Sequence, residues 1–397
     1  MTNGVYRGLG RVARGNTNRI VVDKPILVRS VNGAAVTKIH GTSLRWEEAV
    51  RCAYIAEGGV VKGFTLANGC TTFTSEDNSS FHGGGAFIDR DGLLSDCVVV
   101  SNAAFWCGGG ICCFQGGTIS NCTVQANFAY GYGGGGIYCY DGGLVMNCMV
   151  AANLASNYAA GGGIKCEGNV KLPHVQDCIV RGHANGGGVS CVPGDIYRCT
   201  ISGNTNSSGG GLNLSAWSSA SNCIISGNTA EFWGGGVRCV QNTTLNNCLI
   251  TGNRAGSGGG LYYYRGGEAN NCTIVGNTAT NKAGGIYCDE AGLTRNCIVW
   301  HNDLNGVWSE WFADTNPTNL ASRLAMFSIA NTNGLEIHVR CTNSRIYSFE
   351  YVENLTSGTW SNVPGQTNLP GAASGVLSAI PVPVVTQGYF RIKATKP

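Results

Sequence analysis

Short alternating runs of apolar and polar residues, each closed by Gly, Asn or Asp, fill the chain from about residue 19 to residue 302. In Gly136-Ile137-Tyr138-Cys139, Ile and Cys fall on one side of an extended segment and Tyr on the other. Period-two alternation with β-branched residues and Gly/Asn punctuation predicts strands; a helical repeat would need apolar residues at a 3.6 spacing. The runs recur. Gly clusters, each followed by an apolar residue, end at Gly85, Gly110, Gly136, Gly163, Gly188, Gly211, Gly236, Gly260 and Gly285, at spacings of 25, 26, 27, 25, 23, 25, 24 and 25. Between them a polar residue, a Cys, an apolar residue and an Asn repeat, as in Asn121-Cys122-Thr123-Val124 followed by Asn127. The Cys falls at 97, 122, 148, 178, 199, 223, 248, 272 and 297.

A repeat of this length, without the L-x-x-L-x-L runs of leucine-rich repeats, predicts a right-handed parallel β-helix with coils of about 25 residues. Each coil reads as three strands. The first is the Gly-Ile-x-Cys strand, followed by an Asp-Gly-Gly type turn. The second carries one inward apolar residue three positions before the repeat Cys: Leu94, Ile119, Val145, Val175, Ile196, Ala220 and Leu245, with Ala269 and Thr294 weaker matches. A tight bend follows, where Asn121, Asn147, Asn222, Asn247, Asn271 and Asn296 suit left-handed backbone geometry. The third strand then turns Cys and the residue two later inward. Residues 19–69 read as earlier, less regular coils. The predicted organisation is a β-helix over 1–302, a linker over 303–333 and a small β-sandwich-like domain over 334–397, where Leu335–Val339, Ile346–Tyr351 and Tyr389–Ile392 alternate.

The repeats resemble those of polymorphic outer-membrane proteins and of secreted bacterial β-helix repeat proteins of a Verrucomicrobia-like kind. The Gly-Gly-Gly-Ile clusters, the apolar-x-x-Asn pairs and the stretch from Lys24-Pro25-Ile26 to Gly63-Phe64-Thr65-Leu66-Ala67-Asn68-Gly69 carry the resemblance. It implies the β-helix fold and an exported or cell-surface protein, usually with one more N-terminal coil than this chain has. Met1–Tyr6 lacks the basic start and apolar segment of a leader, so the expectation is a leader removed before residue 1, or a fragment. In such proteins the stretch like Trp308–Thr318 can be a calcium loop. Here Asp303, Asn305, Glu310 and Asp314 lack the dense spacing of an oxygen cage.

Composition narrows the classes. Charged residues are 12% and hydrophobic ones 43%, with a net charge of +3. There is no Lys/Arg cluster for nucleic acid and no apolar stretch able to span a bilayer. Gly is 61 and Pro 9 without a collagen period. No C-x₂-C pair or ligand cluster suggests a metal, and no cofactor is expected. The twenty cysteines admit two readings. Pairs within one coil, such as Cys113/Cys122 and Cys139/Cys148, sit at opposite ends of the second strand, farther apart than the ~7 Å a bridge tolerates. Stacked free thiols follow from that geometry, while an exported location argues for disulfides. Cys107 and Cys112 are the best pair for a local bridge.

Two sets of residues are candidates for function. Outward rings on the first strand, Phe114, Tyr138 and Tyr140 near one end and Tyr262, Tyr264 and Tyr287 near the other, suit sugar stacking or a surface partner if exposed. The rings Phe105, Trp106, Tyr130, Tyr132, Phe232 and Trp233 precede the Gly clusters. The turn edge offers Asp91 and Asp141, two coils apart and hence ~9.6 Å, with Glu167 in the next coil. That spacing would serve an inverting hydrolase, but Asp is also ordinary turn chemistry. The expected function is a non-catalytic exported β-helix, an adhesin or extracellular structural element that binds a glycan or surface partner. A polysaccharide lyase or glycoside hydrolase is the alternative, and a self-associating fibre protomer a third. The Asn at 102, 127, 153, 204, 228, 253, 277 and 302 reads as a structural ladder, with His183 in one of its slots.

If the cysteines are thiols, titration of the denatured, unreduced protein finds more than half of the twenty free. A count near zero establishes the disulfide reading.

Overall fold

In the computed structural model the chain is a right-handed parallel β-helix of ~25-residue coils. The structure describes residues 1–42, 48–73, 77–156 and 161–304, with the backbone of short strands between 307 and 395. Three long sheets run the length of the solenoid, with thirteen, eleven and twelve strands among the described residues. Neighbouring strands pair in register: Ile111 with Ile137, Ile119 with Val145, Val124 with Val150. Register turns each repeat position into a column. Of the second strand only the middle residue points inward, and Leu94, Ile119, Val145, Val175 and Leu245 are fully buried. The third strand is equally short, with Val99, Val124, Val150, Ile201, Ile225, Ile250 and Ile274 inside. Each such side chain contributes about 1.5–3 kcal/mol by leaving water.

Two left-handed corners bracket the third strand. The residue before the repeat Cys takes φ between 49° and 56°, at Asn121, Asn147, Asn222, Asn247, Asn271 and Asn296 as predicted, and also at Asp96, Asp177 and Arg198. The residue before the ladder Asn does the same. Ser101, Ala126, Ala152 and His301 occupy that corner in some coils and Gly203, Gly227, Gly252 and Gly276 in others.

A fourth short strand follows the ladder Asn, and the sequence did not reveal it. Ala103–Ala104, Phe128–Ala129 and Leu154–Ala155 form one small sheet, and Thr205–Ser208 through Thr278–Lys282 continue in a second. Its inward residue is Ala104, Ala129, Ala155, Ala230, Ala255 or Ala279, because this strand crosses close to the Gly cluster of the coil before it. At Gly109 a Cβ would collide with the Phe128 carbonyl oxygen, and at Gly110 it would stand 3.0 Å from Asn127 Nδ2. Gly108 takes φ 66°. The three glycines thus meet three separate demands: a left-handed turn, a backbone contact and room under an amide.

The Asn residues form the expected ladder. Asn102 Nδ2 donates to Leu66 O (3.0 Å) and to Asn127 Oδ1 (2.9 Å), and the Asn102 N–H donates to the same Oδ1 (3.0 Å). The pattern repeats through Asn127 and Asn153, and again from Asn204 to Asn302. His183 fills the gap. Its Nδ1 accepts from the Asn153 N–H at 3.0 Å and its Nε2 donates to Val150 O at 3.1 Å, so the neutral ring copies an amide.

The nineteen described cysteines are buried and unbridged, Cys107 and Cys112 included. The third-strand column does more than fill space. The Cys148 thiol donates to Met146 O at 3.1 Å, and its sulfur accepts from the Cys122 N–H at 3.4 Å. Cys272 and Cys297 repeat the N–H to sulfur contact at 3.2 Å. The sulfurs thus serve the Cys122 and Cys272 N–H groups at the corner, while the Met146 carbonyl also accepts a ladder bond from the Asn121 N–H. Along the first strand Cys113, Cys139, Cys166 and Cys191 are register neighbours.

At its N-terminal end the first sheet stops in an antiparallel strand, Arg11–Ala13 against Asn16–Asn18. At the other end Trp311–Ala313 pairs with Ile286–Cys288, so the ladder runs into the stretch expected as linker. Of the calcium-loop candidates only Asp303 lies among the described residues; Asn305, Glu310 and Asp314 lie outside them. From residue 327 antiparallel strands are described by backbone, among them Ile346–Val352 with Tyr389–Thr395.

Burial takes His183 from its usual 6.5 down to about 4. The unfolded chain therefore binds the proton first, and this residue's share of stability, full above pH 6.5, is lost as pH falls towards 4. That share is roughly 3 kcal/mol. His183→Asn should complete the amide ladder and make urea stability between pH 7 and 4.5 markedly less pH-dependent. An unchanged acid slope would contradict the ladder role.

Candidate functional site: the outer face of the first sheet

The first strand places residues alternately in the core and on the outer face, and register lines the outer ones up. One outer column reads Phe87, Cys112, Tyr138, Lys165, Ser190, Asn213, Arg238, Tyr262, Tyr287. A second, two residues later, begins Asp89, Phe114, Tyr140, Glu167. All six candidate rings leave the core as alternation requires, but they are not an open platform. Tyr138, Tyr262 and Tyr287 are only 7%, 3% and 4% exposed. Phe114, Tyr140 and Tyr264 are half-buried.

The cover has a cause. Arg51 is fully buried and donates to the Gly83, Ser80 and His82 carbonyls and to Asn18 Oδ1. It pins the segment around Asn78–Phe81 over the sheet, while its guanidinium lies 5.1 Å from the Phe87 ring centre. Burial lowers its pKa to about 10, opposed in part by the Asp77 charge, which leaves it charged. His82 then stacks on Tyr138 at 5.5 Å, and Trp106 meets both His82 and Phe81 edge-on. Cys107 and Cys112 lie in this outer cluster. Burial pushes Cys107 up to about 12, so it is an unreactive thiol.

One device recurs three times on the face. A tyrosine hydroxyl donates to the carboxylate that stands two residues later in the next coil: Tyr54 to Asp89 (3.2 Å), Tyr138 to Glu167 (2.7 Å) and Tyr262 to Asp289 (3.1 Å). A cation joins each. Arg14 bonds Asp89, Lys165 Nζ sits 2.7 Å from Glu167 Oε1, and Lys282 Nζ donates to the Tyr287 hydroxyl that itself reaches Asp289. Burial, with the Glu167 charge behind it, drives the Tyr138 hydroxyl far above its usual range, which makes it a donor only. The sequence signal was present, an aromatic at the second first-strand position and an acid at the fourth position one coil on, but it needs the coil register to be seen. Glu167 therefore belongs to this face and not to the turn groove.

Outside the cover, Phe114 and Tyr140 stack at 5.3 Å with 17° between planes. They are register neighbours, with Asp89 and Glu167 at the two ends of the column. The segments before the Gly clusters add exposed rings: Tyr132 at 67%, Phe232 at 47% and Trp233 at 43%. Trp233 stacks on Tyr262 at 6.0 Å, and Tyr262 on Tyr287 at 5.4 Å. Trp106 meets Tyr132 edge-on at 5.9 Å. The face thus carries two aromatic groups, five coil steps and ~24 Å apart.

Asp91 and Asp141 do share a surface groove of about 360 Å³, with Glu57, Arg90, Gln115, Val170 and Lys171. Asp141 is spoken for. Its Oδ1 accepts from the Asn169, Val170 and Lys171 N–H groups at 3.2, 2.7 and 3.0 Å, from a residue at φ 55°. Those bonds hold its carboxyl below the usual range, opposite to what a general acid needs. Among the described residues no His/Cys/Asp/Glu group could hold a metal ion, and no helix is long and apolar enough to cross a membrane.

No family model and no curated protein sequence matches the chain. Among solved structures, a tailspike protein, gp49 from Acinetobacter baumannii bacteriophage Fri1, a capsular polysaccharide depolymerase, is similar at 9% identity and a TM-score of 0.32. The likeness covers 93% of this chain and 79% of that one. At that score no residue role passes from one to the other, and the resemblance to polymorphic outer-membrane protein repeats rests on the repeat pattern itself.

The covered Tyr138–Glu167 bond is a charge-assisted one. Tyr138→Phe should destabilise the β-helix by about 1.5–3 kcal/mol in urea unfolding. A loss under 0.5 kcal/mol would show the bond to be incidental.

Proposed function

We propose that the protein is a non-catalytic, exported β-helix that binds a glycan on the outer face of its first sheet, as an adhesin or extracellular structural element. The stacked Phe114–Tyr140 pair carries the reading. Two half-exposed rings, fixed by paired strands, lose little freedom when a sugar packs on them, so the contact keeps most of its gain. Of the flanking carboxylates Asp89 is buried and committed to Arg14 and Tyr54, while the partly exposed Glu167 can receive a sugar hydroxyl. The covered ring Tyr138 lies beside this pair and Tyr132 adds an exposed ring to the same group, while Trp233 over Tyr262 and Tyr287 makes a second platform. Residues 334–397 are assigned to a separate β-sandwich-like module.

A second reading, a polysaccharide lyase or glycoside hydrolase, has the Asp91–Asp141 groove in its favour. Two coil steps set these residues ~9.6 Å apart, in the range of inverting enzymes. The three amide bonds on Asp141 weigh against it, because they fix that carboxylate as the anchor of the 169–171 turn.

The test is retention on a panel of immobilised polysaccharides. Phe114→Ala with Tyr140→Ala should weaken binding about tenfold or more, two rings at about 0.5–1.5 kcal/mol each. Asp91→Asn with Asp141→Asn should leave binding intact, and no chain cleavage should accompany it. Cleavage by the wild type that the acidic pair abolishes would establish the enzyme.

A further inference from the structure

Between the two aromatic groups the outer column turns polar: Lys165, Ser190, Asn213 and Arg238 follow one another in successive coils. Two of them carry charge, and their situations differ. Lys165 is neutralised, with Glu167 at 2.7 Å and the Tyr132 carbonyl at 3.0 Å. Arg238 has no carboxylate within ion-pair distance among the described residues. One terminal nitrogen donates to Asn213 Oδ1 at 3.1 Å, while its Nε is buried without any hydrogen-bond partner. Its guanidinium lies 5.4 Å from the Tyr264 ring centre, so an aromatic face holds the plane in place. Burial lowers its pKa, and tyrosines and a cysteine, not acids, are the groups that oppose the shift.

A half-buried guanidinium with an amide and a ring as its partners has given up hydration that nothing anionic replaces. Such a group gains from an anion more than an exposed arginine does, and its planar fork matches a carboxylate or sulfate. Its neighbours say what else the ligand must offer. Arg238 pairs in register with Tyr262, on which the exposed Trp233 stacks. A ring-shaped ligand lying on Trp233 and Phe232 would bring a substituent to the outer edge of Arg238.

We propose that Arg238, with Trp233 and Phe232, forms a subsite for an acidic sugar, one that carries a carboxylate or sulfate group. The proposal rests on the glycan-binding reading and adds the ligand's charge and its place on the face. Lys165 does not share the role, because Glu167 already satisfies it.

Three immobilised probes decide the matter: polygalacturonate, dextran sulfate and uncharged dextran. Wild-type protein should bind at least one of the charged polymers tenfold or more tightly than dextran, and the two charged probes tell carboxylate from sulfate. Arg238→Met should abolish that preference. Arg238→Lys should recover only part of it, since a lysine keeps the charge and loses the fork. Arg181→Met, which removes an exposed charge on the third sheet, should leave the preference unchanged. Circular dichroism and the melting temperature establish that each variant is folded. Acidic preference that survives in a folded Arg238→Met variant, or that falls equally with Arg181→Met, overturns the subsite. Binding to dextran that depends on Phe114 and Tyr140, with no gain from charge, overturns the subsite alone and leaves the glycan reading in place. Absence of binding to any glycan overturns both.

Discussion

Peptide groups at the inner corners of a β-helix have no water to bond, and every coil is built around supplying them with partners. A buried, unpaired N–H or C=O costs about as much as several good contacts return. The Asn column meets this demand at one corner, where each side-chain oxygen takes an N–H and an amide from the coil before it. The thiol column meets it at the other, more weakly, by taking N–H groups onto sulfur. His183 shows how narrow the requirement is. An imidazole serves in the Asn slot because its neutral tautomer presents an acceptor and a donor in the same places.

Those ladders enforce in-register stacking, and register is what makes the outer face a candidate site. Once coils stack without slipping, one repeat position becomes a line of side chains spaced by the strand separation, ~4.8 Å. That is close enough for flat rings to stack, as Phe114 does on Tyr140 and Tyr262 on Tyr287. It also lets a tyrosine reach the carboxylate of the next coil, three times along one sheet. The same spacing that closes the backbone bonds therefore writes the chemistry of the surface.

The two aromatic groups are finished differently. Near the N-terminal end Arg51 trades its hydration for three carbonyls and an amide, and so fastens a segment over Phe87 and Tyr138. Near the other end the cover is Trp233, itself 43% exposed. One group is thereby a small second core with a ring pair at its margin, and the other presents a large ring to solvent beside a guanidinium.

The sequence by itself determined the coil length, the inward columns, the left-handed corners at Asn121, Asn147, Asn222, Asn247, Asn271 and Asn296, and the Asn ladder. Each of these depends on residues within one coil and recurs in six or more coils, so periodicity alone exposes it. It also placed the six candidate rings outside the core, since alternation is local. Whether those rings meet solvent was decided only by tertiary structure, because segments from other coils cover Tyr138 and Tyr262. The fourth strand stayed hidden because its inward Ala carries almost no hydrophobic signal. The purpose of the Gly clusters, the bonds that commit Asp141 to a turn, and the lone charge of Arg238 likewise depend on atoms one coil away, about 25 residues along the chain. A sequence records which residues a coil contains; only stacking decides which of their polar groups are left to meet a ligand.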